Sequence, residues 1–213
     1  MSSGFEIIIT EDGSPTVYSD VFKATYHSQK GAVEESMHVF IRNGFEVARK
    51  KFNTIKILEV GFGTGLNAIL TLDHNRTSSV YYHAIEKFPL PEKVYKQLNY
   101  GTDHFLSLHH SDWNKDVEIC PQFKLHKTDS AIEALQLNSD YNLIYMDAFA
   151  PATQNEIWQK ENLKKLYDSL VHGGILVTFC AQGQFKRDLR SLGFTLESPM
   201  GAAGKREMTR ATK

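Results

Sequence analysis

Residues 55–67 read Ile-Lys-Ile-Leu-Glu-Val-Gly-Phe-Gly-Thr-Gly-Leu-Asn, and this stretch restricts the fold more than any other. Ile55, Ile57, Leu58 and Val60 suit a strand buried on both faces. Gly61, Gly63 and Gly65 then let the backbone turn sharply and approach a ligand. Leu66, Ala68, Ile69, Leu70 and Leu72 continue as a helix. Strand, glycine loop and helix in that order predict a doubly wound α/β sheet with a nucleotide crevice at its carboxyl edge.

The loop departs from the dinucleotide pattern Gly-x-Gly-x-x-Gly, because Leu66 stands where the third glycine belongs. Glu59, two residues before Gly61, repels a pyrophosphate and welcomes an ammonium group. The ligand these residues suggest is nucleoside-like, cationic and without phosphate. S-adenosylmethionine meets that description. A glycine turn that only packs helix on strand is the plainer alternative.

Three further acids stand at strand ends. Residues 80–85 read as a second strand, and Glu86 follows it at the distance expected for an acceptor of ribose hydroxyls. Lys87 lies along the adenine or is simply solvated. Residues 123–128 form a third predicted strand, and Asp129 after it suits either the adenine amino group or a helix N-cap. Residues 141–146 form a fourth, followed by Asp147-Ala148-Phe149-Ala150-Pro151. Ligands of open α/β sheets bind beyond strand carboxyl ends, so Asp147 is the candidate to orient an amine and take its proton. A loop-capping Asp is its alternative. Phe149 offers a flat apolar face, and Pro151 stiffens the loop.

The runs Glu59–Asn67, Glu86-Lys87-Phe88-Pro89-Leu90 and Asp147–Pro151, with Trp158 and Lys205-Arg206-Glu207-Met208, occur in the order found in the methyltransferase part of the bacterial MnmC/MnmD family. Tyr26-His27-Ser28, Gly31-Ala32 and Glu34-Glu35 extend the resemblance over nearly the whole chain. The glycine loop is generic to methyltransferases, whereas the Asp-Ala-Phe-Ala-Pro and Lys-Arg-Glu-Met runs are much more specific. The resemblance implies a Rossmann-like class I S-adenosylmethionine-dependent methyltransferase with a seven-stranded, mostly parallel sheet. Its implied reaction is methylation of the primary amine of 5-aminomethyl-(2-thio)uridine at the tRNA wobble position. It implies Phe62, Thr64 and Asn67 as cofactor residues beside Gly61 and Gly63, with Tyr26 closing over the methionine part. Phe149 and Pro151 would serve the uracil, and Lys205 and Arg206 the anticodon phosphates. Many relatives carry a fused FAD-dependent oxidase. A stand-alone methyltransferase with a separate oxidase acting upstream is the expectation here. Asn155 stands where relatives often have proline.

Length and composition bound the rest. A chain of 213 residues, 41% hydrophobic, suits one domain: an extension over residues 1–54 and a core over 55–213. No apolar run reaches the roughly 20 residues of a membrane span, and no basic start with an apolar run marks a leader, so a cytoplasmic protein is expected. Cys120 and Cys180 form no metal or redox motif, and none of the nine histidines shows His-x-x-x-His spacing, so no metal is expected. The net charge of −1 does not advertise nucleic-acid binding. Its distribution is uneven, however: from Gln182 to Lys213 seven basic residues face three acids. Segments 5–9 and 16–18 flank a turn at 12–15, predicting an N-terminal hairpin, and residues 31–52 carry helical apolar spacing. Helices are predicted over 163–171 and 185–192, strands over 175–179, 195–197 and 207–210, and residues 89–121 show no clear pattern beyond a short helix after Pro91. A small-amine methyltransferase of the same fold and a non-enzymatic nucleotide-binding module are the competing functional classes.

Overall fold

The computed structural model describes residues 4–202 and 204–213. Strands β1 (Phe5–Ile9), β2 (Pro15–Ser19) and β3 (Ala24–Thr25) form a small antiparallel sheet. A helical segment follows as α1 (Ala32–Ser36), a π-helical stretch (Met37–Phe45) and α2 (Glu46–Ala48). The remainder runs β4 (Thr54–Val60), α3 (Leu66–His74), β5 (Ser79–Ile85), α4 (Glu92–Tyr95), α5 (Phe105–His110), β6 (Asp116–Cys120), β7 (Phe123–Thr128), β8 (Tyr141–Met146), α6 (Lys160–Ser169), β9 (Leu170–Thr178), α7 (Gly183–Leu192), β10 (Thr195–Glu197) and β11 (Thr209–Thr212).

The main sheet has the order β10-β11-β9-β8-β4-β5-β7-β6. Its five central strands are parallel, and β6, β10 and β11 pair antiparallel at the edges. β4 lies between β5 and β8, so the chain winds to both sides of it and a crevice opens beyond its carboxyl end. Register sets that crevice. Val60 pairs with both Ile85 and Met146, and Ile85 pairs with Thr128. The residues that follow, Gly61, Glu86, Asp147 and Asp129, therefore leave the sheet at one level.

Each face of the sheet buries its own core. Along β8, Leu143 and Tyr145 join Phe40, Phe45 and Val177 on one face, while Ile144 and Met146 join Leu163, Leu166, Phe185 and Leu189 on the other. This alternation follows from the two-residue repeat of a strand. The N-terminal segment thus supplies one face of the core. Its π-helical turn sets Gly44 so close to the sheet that a Cβ there would stand 2.9 Å from Val177 Cγ2.

The expected mostly parallel α/β sheet is present, with eight strands against the seven expected. The additional β6 is an edge strand within the stretch without pattern, and its charged Asp116 and Glu118 hide it from a search for apolar runs. The helix expected to reach residue 171 ends at Ser169, because Leu170 already belongs to β9, which runs through Gly173 and Gly174. The last strand starts at Thr209, two residues later than expected, since Met208 N–H bonds Pro199 O outside the ladder.

Candidate active site

Phe22, Tyr26, Gly61, Gly63, Glu86, Lys87, Phe88, Asp147 and Phe149 line one crevice at the carboxyl ends of β4, β5 and β8, with residues 130–133 and Gln154, Glu156 and Ile157 on its far wall. It encloses about 650 Å³ of space open to solvent. Two glycines keep its floor bare. A Cβ on Gly61 would lie 2.6 Å from Asp147 O, and one on Gly63 would lie 3.0 Å from the Tyr26 ring. Both have positive φ, at +94° and +52°, so side chains are excluded by conformation as well.

Glu86 is fixed by the backbone around it. Gly63 N–H donates to Oε2 at 2.9 Å and Phe88 N–H to Oε1 at 2.7 Å. Each oxygen retains a further acceptor site toward the crevice. Burial raises its pKa, against the pull of these N–H groups. Tyr26 lies across Gly63, and its hydroxyl pKa is raised by burial and by the charge of Glu86.

Asp147 stands opposite, and its N–H bonds Val60 O at 3.0 Å. Asn67 Nδ2 donates to Asp147 Oδ2 at 2.7 Å and to Glu59 Oε1 at 2.9 Å, joining the two carboxyls through one amide. Burial lifts the Asp147 carboxyl to about 7. The Asn67 hydrogen bond opposes that rise, Glu35 adds to it, and Lys205 counters it. Glu59 is fully buried and is not part of the crevice wall. Asn67 links Glu59 to Asp147 in the crevice wall. Burial raises the pKa of Glu59 well above the ordinary carboxylate value, against the pull of the Asn67 hydrogen bond.

The glycine loop is braced from behind. Thr64 Oγ1 lies 3.4 Å from His27 Nε2, and Thr64 O lies 3.0 Å from His109 Nε2. Phe62 packs edge-on against His109 and Trp113. The fully buried Lys127 donates to Leu108 O and His109 O, each at 2.8 Å, and its ammonium sits 4.6 Å from the Trp113 ring centre. Desolvation pushes that ammonium down to about 8. Phe62, Thr64 and Asn67 are thus supports of the floor rather than crevice walls.

Asp129, Pro151, Lys205 and Arg206 also lie outside the walls. Asp129 accepts from Asn114 Nδ2 at 2.6 Å. Lys205 forms an ion pair with the buried Glu35 and sits 4.8 Å above the Phe179 ring. Arg206 is exposed. The sequence reading missed Phe22, Glu133, Gln154, Glu156 and Ile157. All lie in turns or short 3₁₀ segments without periodicity, so only the crevice itself reveals them. Phe88 carried a signal, since it adjoins Glu86 in a motif run. Among the described residues no group of three or more His, Cys, Asp or Glu is placed to hold a metal ion, and no helix is long and apolar enough to cross a membrane.

Four acids (Glu86, Glu133, Glu156, Asp147) and one lysine line the crevice. That balance suits a cation and opposes a pyrophosphate. With an apolar strip from Ile85, Ala131, Ile132 and Ala148 for a flat base and Glu86 as a hydroxyl acceptor, the residues fit S-adenosylmethionine. A doubly wound sheet with this crevice defines a nucleoside-cofactor enzyme of the methyltransferase class.

The comparisons narrow the class. The profile of a family described as S-adenosyl-L-methionine-dependent methyltransferase matches residues 78–213. The chain belongs to this family, and S-adenosylmethionine is its cofactor. It is 28% identical, over 97% of its length, to the tRNA 5-methylaminomethyl-2-thiouridine biosynthesis bifunctional protein MnmC of Cupriavidus necator, of which it covers 34%. It is 29% identical over 91% of its length to the protein of the same name from Leptospira borgpetersenii, covering 33% of it. The chain thus spans about a third of the length of these curated relatives. Among solved structures, MNMC2 from Aquifex aeolicus superposes with a TM-score of 0.83 at 27% identity, over 99% of this chain and 70% of that one. Spermidine synthase from Thermotoga maritima shares the fold, with a TM-score of 0.61 at 15% identity over 97% of this chain and 67% of that one.

Proposed function

We propose that the chain methylates the primary amine of a 5-aminomethyl-(2-thio)uridine at the tRNA wobble position. The observation that carries this reading is the seat of Asp147, at the crevice floor two residues before Phe149, with a carboxyl that titrates near neutrality. The names of the MnmC relatives, which print tRNA 5-methylaminomethyl-2-thiouridine biosynthesis, support this choice of substrate.

The cofactor supplies an electrophilic sulfonium methyl. Glu86 would hold ribose hydroxyls, Tyr26 and Gly63 would border the methionine part, and the stem of Lys87 would flank the base. Asp147 Oδ1, the oxygen not engaged by Asn67, receives a hydrogen bond from the substrate amine. Much of the rate then comes from alignment, since reactants held at about 3–3.5 Å gain a large entropic advantage. The amine attacks only when neutral. Asp147 accepts its proton directly or through water, and a carboxyl poised near 7 is matched to that transfer at physiological pH. Asn67 holds Asp147 in place, and Glu59 holds Asn67. Phe149 provides the apolar surface for the uracil ring. Pro151 shapes the loop behind it. The substrate amine itself has to be released upstream by removal of a carboxymethyl group, the work of an FAD-dependent oxidase.

Incubation with labelled S-adenosylmethionine and tRNA carrying aminomethyluridine, followed by nucleoside mass spectrometry, tests the proposal. One added methyl on the modified uridine is expected. Cofactor binding without methyl transfer to that nucleoside would overturn it.

A further inference from the structure

The sequence placed phosphate contacts in the basic C-terminal region, yet the side chains there are largely committed within the protein. Lys205 pairs with Glu35, Lys186 with Glu207, and Arg210 with Glu197. Lys213 Nζ donates to Leu170 O at 2.7 Å. A nucleic acid that competes for these cations must first break internal pairs.

The turn between β2 and β3 is built differently. It carries Val21, 79% exposed, then Phe22 and Lys23. Phe22 stacks on Phe149 with ring centres 4.4 Å apart and meets the Phe88 ring edge-on at 5.7 Å. Phe88 is itself 47% exposed. The three rings form a continuous aromatic strip that starts on the surface and ends in the crevice beside Asp147. Cations flank its outer end. The Lys87 ammonium sits 5.2 Å from the Phe88 ring centre, and among the described residues it has no carboxylate within 4 Å. Among the described residues Lys23 pairs with the exposed Asp20 alone, at 3.5 Å, a pairing weak enough for a phosphate to replace. The turn is held in shape: Asp20 N–H bonds Gly4 O at 2.9 Å, Phe22 N–H reaches Ser19 Oγ at 3.3 Å, and Lys23 adopts a left-handed φ of +50°.

Exposed aromatic rings interleaved with unengaged lysines are the physical requirement for gripping single-stranded nucleic acid, because every base presents a π-face and every nucleotide a phosphate. We propose that Val21, Phe22, Lys23, Lys87 and Phe88 form the platform that receives the single-stranded RNA segment flanking the target base. In this arrangement a neighbouring base stacks on Phe88, the phosphates meet Lys23 and Lys87, and the strip leads the target base to Phe149. The β2–β3 turn is then both the roof of the cofactor crevice and the RNA-facing surface. This rests on the RNA reading of the substrate given above.

Val21→Asp/Lys23→Glu is the test, because neither side chain lines the crevice. RNA affinity is measured with an anticodon stem-loop of the substrate tRNA over a range of salt, and cofactor affinity by calorimetry. We expect RNA affinity to fall at least about tenfold and its salt dependence to flatten, with cofactor affinity unchanged. Lys23→Glu alone, at a position where the side chain is 73% exposed and no core contact is lost, gives the same direction, with the melting temperature measured alongside as a check on folding. RNA carrying 4-thiouridine beside the target should crosslink to residues 20–23 or 87–88. Unchanged RNA affinity in both variants, or crosslinks confined to 204–210, would overturn the platform while leaving the substrate reading intact. Failure of the unaltered protein to bind the stem-loop would overturn both.

Discussion

The floor and the roof of the crevice are built by different means. The floor is a product of strand register: Val60, Ile85 and Met146 lie in line, so Gly61, Glu86 and Asp147 emerge together. Its polar groups are bonded over short, buried distances through Asn67 and the Gly63 N–H. The roof is assembled from parts distant in sequence. Phe22 and Tyr26 come from the N-terminal segment, and the tie between Glu35 and Lys205 joins residues 170 positions apart. Sheet register fixes the floor, whereas the roof depends on contacts between segments distant in sequence: the Phe22, Tyr26 and Phe149 rings, the Thr64–His27 contact and the Glu35–Lys205 ion pair. The comparison teaches that loss at the floor should strike chemistry and cofactor binding, and loss at the roof should strike stability and RNA capture.

The largest effect should come from Asp147→Ala. The change leaves the apolar core intact, and methyl transfer should fall by more than the roughly 10²–10⁴-fold of acid–base assistance alone, since positioning is lost too. Saturating tRNA and cofactor should fail to restore it in single-turnover assays. Rescue by high substrate would move Asp147 from chemistry to binding. Glu86→Ala comes next. It removes the ribose acceptor, and hydrogen bonds to a charged group are worth about 1.5–3 kcal/mol, so cofactor affinity should weaken about ten- to hundredfold by calorimetry. Unaltered affinity would place the ribose elsewhere.

At the roof, Lys205→Ala leaves Glu35 buried, with only the Ser28 N–H at 3.0 Å to answer its charge. That exposure of an unpaired buried group costs about 1–3 kcal/mol, and the melting temperature should drop by several degrees. Adding Glu35→Gln should recover part of the loss. A stable Lys205→Ala protein with a flattened salt dependence of tRNA binding would instead make Lys205 a phosphate contact. A further effect concerns stability and pH. The raised carboxyl of Asp147 keeps its proton in the folded state up to about 7, while the unfolded chain loses it near 3.8. Stability from this group therefore falls as pH rises between those values. Asp147→Asn removes that penalty, so the variant should melt higher than the unaltered protein at pH 8 and show little difference at pH 4. Equal shifts at both pH values would separate the effect from titration.

The same division explains what the sequence made legible. The floor was readable because β4, β5 and β8 are mostly apolar and β7 alternates Phe123 and Leu125 with polar residues, each strand being followed by Gly or an acid, and in a parallel sheet the residues after such strands meet. The partner of Glu59 was not readable. Nothing in the spacing of Glu59, Asn67 and Asp147 tells that one amide bridges two carboxyls, because that depends on the turn at Gly65, whose φ is +75°. Phe22 was invisible for another reason. It sits in a four-residue turn with no periodicity, and its contacts with Phe88 and Phe149 arise only when the N-terminal sheet folds over the crevice. The partner of Lys205 was not readable either, because Glu35 lies far back in the chain. Lys127 was equally silent: a lysine in a strand gives no sign that helix-end carbonyls will surround it.

The central claim is that Asp147 takes the proton from the substrate amine. Single-turnover methyl transfer measured from pH 5.5 to 9, for the unaltered protein and for Asp147→Asn, tests it most directly. Asn keeps the shape and the hydrogen bond to the amine but is a poor proton acceptor. The account predicts an inflection near 7 in the unaltered protein, with the rate rising as the carboxyl ionises. The Asn variant should be slower by about 10²-fold or more and lack that inflection. Near-normal rates in the Asn variant, with the same pH profile, would contradict the claim and leave Asp147 as a group that only orients the amine.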